Sequence, residues 1–175
     1  MRRVPVLGLV AVITVLALTA TACGGEGDAS TPGEAAEGGP VVASTVLEAL
    51  DGGELSLADY RGRPLVVNFF ANWCAPCVIE MPEFEKVHQQ LGDEVAFLGI
   101  SVQETVEQAR ALVEQTGVTY DVAREPQGDL LRELGGVGMP TTVFIDAGGR
   151  VVDSHTGQLS AGELTELIES NLASS

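Results

Sequence analysis

From residue 44 onward, apolar residues come in short runs whose period changes from segment to segment. "STVLEALDGGELSLADY" (44–60) sets apolar stretches on either side of Gly52-Gly53, a hairpin signal. "PLVVNFFA" (64–71) is bulky, partly β-branched and too short for a helix, so it predicts a strand buried on both faces. Helical spacing follows, with Cys77, Met81, Phe84, His88 and Leu91 on one stripe. Pro82 interrupts it and is expected to bend or restart the helix, since proline has no N–H to give the preceding turn. "EVAFLGISV" (94–102) predicts a second buried strand, and Val106, Ala109 and Val113 mark a helix that stops at Gly117. "VTYDVA" predicts a short strand and Leu130, Leu131 and Leu134 a brief helix. "TTVFIDAGGRVVDSHTG" predicts a hairpin turning at Gly148-Gly149. A last helix opens with Ser160 and Glu163 at capping-box spacing and buries Leu164, Leu167, Ile168 and Leu172. The order βαβαβαββα implies an α/β domain with a mixed central sheet flanked by helices on both faces. No internal repeat is present.

The first 22 residues follow other rules. Arg2 and Arg3 precede an uncharged apolar stretch from Val4 to Ala22, the layout of a secretory signal. An uncleaved anchor is the alternative, since the stretch is nearly long enough to span a bilayer. "TATAC" then ends in small residues before Cys23 and resembles the lipobox of bacterial lipoproteins, which implies a diacylglycerol thioether on Cys23. Residues 24–40, "GGEGDASTPGEAAEGGP", contain six Gly, two Pro, four acids and no large apolar side chain. Nothing there offsets the entropy of ordering the chain, so residues 23–40 read as a lipidated, disordered acidic linker. The expected organisation is a signal at 1–22, that linker at 23–40 and one domain at 41–175, held outside the cytoplasm at a membrane. That compartment permits disulfides.

The 175 residues suffice for one domain with a real core. A formal charge of −16 argues against nucleic-acid binding, which needs Lys and Arg to displace counterions. Removing Arg2 and Arg3 leaves 7 basic against 25 acidic residues, a net charge of −18. Acidity on this scale serves solubility and disfavours a basic patch on anionic lipid.

With Cys23 set aside, Cys74 and Cys77 in "ANWCAPCVIEMP" are the only thiols left. As a structural staple the pair is weak, because so small a loop removes roughly 2 kcal/mol of unfolded-state entropy. As a structural zinc site it lacks ligands, since only His88 and His155 are available. His88 lies roughly 16 Å along the helix from Cys77 and is expected to cover the edge of the apolar stripe. His155 is expected at the surface of a hairpin strand. A redox pair fits best. Cys74 falls at a helix start, where free N–H groups and the helix dipole stabilise a thiolate, and Cys77 lies one turn further in. Pro76 stiffens the turn between them.

"VVNFFANWCAPCVIEMP" with "GVGMPTTVFID" downstream resembles the thioredoxin superfamily, and more narrowly its TlpA/ResA/DsbE-like, membrane-tethered thiol-disulfide oxidoreductases. The resemblance covers about residues 41 to 173. It implies a thioredoxin-like fold with an N-terminal β-hairpin, and an inserted helix-strand unit carried by "LGISVQETVEQARALVEQTGVTYDVA". It implies Cys74 and Cys77 as the catalytic pair and no cofactor. Where thioredoxins carry an acid six places before the first cysteine this chain has Asn68, so the proton acceptor is sought at Glu80, three residues after Cys77. Pro140 matches the family's cis-proline. Met139, Trp73 and Pro76 join it as the substrate-facing surface, with Trp73 and Phe70 serving as rim and packing rather than chemistry.

The implied activity is disulfide exchange with envelope proteins, most readily as a reductase with apocytochrome c among its substrates, re-reduced by a membrane thiol donor. A monomer is expected. The rivals are a disulfide-forming oxidant, a thiol peroxidase and a copper chaperone. Peroxidases usually carry Thr or Ser three residues before the reactive cysteine, where this chain has Ala71. The chaperones space their cysteines one residue wider and add a histidine.

Overall fold

A computed structural model of the chain describes residues 45–172. The leader, Cys23 and the linker lie outside the described residues, as do both ends of the expected 41–175 domain.

The hairpin forms as β1 (Val46–Ala49) and β2 (Glu54–Ser56), with Gly52 and Gly53 both at positive φ between them. A 3-10 turn at Leu57–Tyr60 follows at once, closed by a capping box between Ser56 and Asp59. Strand β3 (Leu65–Phe70) is buried at every position. Helix α1 (Ala75–Leu91) then runs as one element through Pro82, so the helix does not restart there. Its buried face, Cys77, Glu80 and Met81 before the proline and Phe84 and Val87 after it, packs into a single layer. That packing holds the helix together although the Val78 carbonyl receives no bond from Pro82.

Strand β4 (Ala96–Val102) begins two residues later than its apolar run, because the Glu94 and Val95 N–H groups donate to the Leu91 carbonyl in the turn that ends α1. Helix α2 (Val106–Thr116) opens on a Thr105–Gln108 capping box and stops at Gly117, which takes the left-handed conformation at φ 72°. Strand β5 (Asp121–Glu125) is displaced toward the C-terminus from the expected 118–123. The cause is local: the Thr119 N–H and hydroxyl both donate to the Glu85 carboxylate, which ties this stretch to α1 instead of to a strand ladder. Helix α3 (Asp129–Glu133), strands β6 (Thr141–Ile145) and β7 (Val151–Thr156) and helix α4 (Ala161–Leu172) complete the order. The Ser160–Glu163 capping box is present at the start of α4.

The described strands form one sheet in the order β2-β1-β5-β4-β3-β6-β7. Strands β3, β4 and β5 run parallel, and the other pairings are antiparallel. Two apolar layers cover its faces. Residues of α1, α2 and α4 pack with Val66, Phe70, Phe97 and Phe144 on one side. Leu57 and the leucines of α3 pack with Val67, Phe69, Leu98 and Val143 on the other. The expected mixed sheet with helices on both faces is therefore the observed architecture, and all three parallel strands end at the pole where α1 begins.

Gly99, in the middle of β4, shows how tightly the first layer is filled. A Cβ there would sit 2.9 Å from Phe70 Cε1, 3.2 Å from Tyr120 Cε2 and 3.3 Å from Val122 Cγ2. Overpacking of this kind costs about 1–3 kcal/mol, more than the roughly 0.5–1 kcal/mol that alanine gains over glycine in a strand. We expect Gly99→Ala to lower the denaturant midpoint at unchanged m-value. A midpoint equal to or above wild type would show that the layer has room to yield.

Candidate active site

The site is built where β3 hands the chain to α1. After Phe70 the backbone turns, with the Cys74 N–H donating to the Ala71 carbonyl at 3.1 Å. Cys74 becomes the N-cap of α1, and its sulfur accepts the Cys77 N–H at 3.3 Å. Pro76 occupies the first helical turn, where its missing N–H leaves no bond unmade. The two cysteines are joined by a disulfide with their Cα atoms 5.3 Å apart. Cys74 keeps 5% of its surface exposed and Cys77 none. An attacking partner can therefore reach only the first sulfur. That sulfur sits at the positive end of the helix and takes a backbone N–H, the two influences that favour a thiolate there.

Glu80 lies one turn beyond Cys77 on the buried face of α1, with no exposed surface. Its two oxygens are held from different elements. Asn68 Nδ2 on β3 donates to Oε1 at 2.7 Å, and the Leu159 N–H before α4 donates to Oε2 at 2.8 Å. Burial pushes its pKa up to about 7, and the bonds from Leu159 and Asn68 offset only part of that rise. A carboxyl that changes charge near neutral pH, one turn from a buried thiol, can take a proton and return it.

Asn68 therefore does more than fill the place of an acid, since it orients the acid that replaces it. The sequence contains a signal for this: a polar residue shares the buried face of β3 with Val66 and Phe70. The Leu159 contact had no signal, because it is made by backbone. Nor did a second buried carboxyl. Glu104, 5% exposed, accepts the Asn72 N–H at 2.7 Å and the Ser101 hydroxyl at 2.6 Å. It fixes the loop two residues ahead of Cys74. In the sequence it looks like any solvated acid before a helix.

Pro140 follows a cis peptide bond from Met139. Because Phe69 pairs with Thr141 across β3 and β6, the proline lies at the same sheet pole as the cysteine turn. Its carbonyl accepts the Gly157 N–H at 3.0 Å, which links this loop to the segment that holds Glu80 through Leu159. Met139 is half-buried and packs against both apolar layers. Trp73 is 61% exposed and Pro76 is also exposed, whereas Phe70 is wholly buried. His88 covers the edge of the apolar stripe as expected, with its ring edge-on to Phe97 and Tyr120. His155 is half-buried on β7, more enclosed than the surface position expected for it.

Residues 39–154 match the model of the AhpC/TSA family. The thiol-disulfide oxidoreductase ResA of Geobacillus thermodenitrificans is 34% identical over 128 residues, which is 71% of this chain and 72% of that protein. A solved DsbF homologue from Corynebacterium diphtheriae superposes with a TM-score of 0.69 at 31% identity, covering 80% of this chain and 96% of its own. The exposed lipoprotein thioredoxin Etrx1 of Streptococcus pneumoniae superposes with a TM-score of 0.62 at 26% identity, covering 73% of this chain and 99% of its own. With a disulfide-forming cysteine pair at a helix start and relatives of this kind, the chain belongs to the AhpC/TSA family and is a thioredoxin-like thiol-disulfide oxidoreductase of the ResA/DsbE type.

Proposed function

We propose that this protein reduces disulfides in other envelope proteins, apocytochrome c among them, and that residues 23–40 tether it to the outer face of a membrane through lipid on Cys23. Cys74 attacks the substrate disulfide and forms a mixed disulfide. Cys77 then gives its proton to Glu80 and attacks the Cys74 sulfur, which releases the substrate thiol. Trp73, Pro76, Met139 and Pro140 form the face against which the substrate chain docks. A membrane thiol donor restores the dithiol.

The observation that carries this reading is the contrast between the sulfurs, one capped by a helix N-terminus at the surface and one sealed beside a titratable carboxyl. The direction rests on charge. A strong oxidant needs its reduced form stabilised by cations or N–H groups around the thiolate. Here Asn72 to Ile79 carry no cation, and the carboxyls of Glu80 and Glu104 stand on either side. The guanidinium on the Glu104 flank, Arg124, donates to the Glu104 carbonyl at 2.6 Å and to Glu48. Such surroundings favour the disulfide and make the dithiol a reductant. The tether rests on the apolar leader and the small residues before Cys23, and a relative described as an exposed lipoprotein supports it.

Equilibration with glutathione tests the direction. We expect a potential near that of thioredoxin, about −270 mV, and a value near −120 mV would make the protein an oxidant instead.

Replacing Glu80 by Gln is expected to slow resolution of the mixed disulfide by about 100-fold, the low end of general acid–base effects, while the first attack by Cys74 keeps its rate. The same variant has a signature in stability. The folded oxidised protein holds a proton on Glu80 up to a pKa of about 7, whereas an unfolded carboxyl releases it near the ordinary 4.5. The native state therefore binds more protons between these values, and stability must fall as pH rises from about 5 to 8, by on the order of 3 kcal/mol. Chemical denaturation across that range should show the decline in wild type and a flatter profile in Glu80→Gln. Parallel profiles would remove Glu80 from the mechanism.

For the tether, mass spectrometry of the N-terminal peptide from native membranes should find diacylglycerol on Cys23, and Cys23→Ser should abolish that mass. An unmodified Cys23 behind an intact leader would mean an uncleaved anchor.

A further inference from the structure

Glu80 is sealed from solvent, so a proton it takes from Cys77 and does not return to that sulfur needs another way out. One row of the sheet bears on where the proton goes. Asn68 on β3 pairs directly with Thr142 on β6, which pairs with His155 on β7. Directly opposed residues point to the same face, so all three lie on the α1/α4 side with Phe70 and Phe144. Two polar atoms in this row have no partner: Asn68 Oδ1, on the side chain that holds Glu80 with its other end, and Thr142 Oγ1. Asn68 is 1% exposed and Thr142 fully buried. A buried hydroxyl or amide oxygen without a bond costs about 1–3 kcal/mol, so adjacent ones call for a shared partner. An apolar pair would serve better if the row were only packing.

We propose that Asn68 and Thr142 hold a buried water that receives the Glu80 proton and passes it to the half-buried His155, giving the redox centre a proton outlet along the sheet. This rests on the proposed role of Glu80. In the resolving step Cys77 loses its proton to Glu80, its sulfur bonds to Cys74, and the substrate sulfur leaves with the electron pair of the broken bond. The proton on Glu80 then moves to the water, to the imidazole, which can accept and donate in turn, and into solvent. Asn68, Thr142 and His155 do not touch the sulfurs and are positioning residues for the proton.

The surroundings suit that flow. The ionisable groups facing Glu80 are Cys77 on its own helix and the buried Tyr120 from the segment before β5, whose hydroxyl burial keeps protonated; neither offers an exit. His155 lies within electrostatic reach of Glu163 at the start of α4 and shares its strand with Asp153, which accepts from Asn171 at 3.1 Å.

Stopped-flow resolution of the mixed disulfide at low buffer concentration tests the outlet. Thr142→Val keeps the shape and removes the hydroxyl, and His155→Gln keeps a polar group and removes the imidazole. Each should slow resolution by about tenfold without changing the first attack, and added imidazole should restore the His155→Gln rate. In a Glu80→Gln background neither substitution should have a further effect. Wild-type rates in both variants, or an equal slowing without Glu80, would overturn the outlet while leaving Glu80 as acceptor. A wild-type rate in Glu80→Gln alone would overturn the acceptor and the outlet with it.

Discussion

A carboxyl group with no exposed surface, bonded by one side-chain amide and one backbone N–H, joins β3, α1 and the segment before α4. Taking an ionised carboxylate out of water costs several kcal/mol even after relaxation, and a domain whose net stability is about 5–15 kcal/mol does not carry that without return. Two hydrogen bonds recover part of it, and the rest appears as the raised pKa of Glu80. The protein accepts this raised pKa one helical turn from the buried Cys77.

The same contact has a geometric consequence. Glu80 reaches β3 through Asn68 and the pre-α4 loop through Leu159, and that loop in turn bonds to the carbonyl of Pro140. The charge state of one side chain is thus mechanically continuous with the cis Met139-Pro140 step two segments away. Glu104 does the matching work on the other flank, where it holds the Asn72 backbone that leads into Cys74. The cysteine turn thus rests on its own Cys74-to-Ala71 backbone bond and on Glu104, while Glu80 fixes the strand and the loop behind it.

How much of this could be read beforehand depends on whether a feature repeats. Buried strands, amphipathic helices and capping boxes are patterns several residues long, and β3, α1, α2 and α4 stood where their patterns lay. The misses were single interactions. β5 moved because Glu85 captured Thr119, and of the two outcomes expected at Pro82 the restart did not occur, because apolar packing on both sides outweighed one lost hydrogen bond. In the site, the cysteines, Glu80 and the Met139-Pro140 step were legible through spacing or resemblance. Asn68 was recognised as a departure from the thioredoxin acid, but its positive role emerged only when β3 and α1 were laid face to face. Glu104 and the Leu159 N–H had no pattern at all, since a lone acid and a backbone donor look the same whether buried or not.

The two influences on the Cys74 sulfur pull in opposite directions, and their sizes decide the character of the enzyme. A helix N-terminus contributes about 0.3–1 kcal/mol at an exposed site and up to roughly 2 kcal/mol when partly buried, which favours the thiolate. Buried carboxyls oppose it, and in a low-dielectric site even a charge several ångströms away can match that benefit. Glu80 adds its opposition only when ionised, so the balance shifts with pH through the range where its own proton leaves. Below that range the helix acts on Cys74 with Glu80 silent. Above it, in the proposed mechanism, ionised Glu80 can take the Cys77 proton but until it does so opposes a thiolate on Cys74. In that mechanism the carboxyl must therefore be discharged between cycles, either by returning its proton to Cys77 as the pair is re-reduced or by exchange with solvent. The second route is the one a sealed acid lacks unless the sheet supplies it.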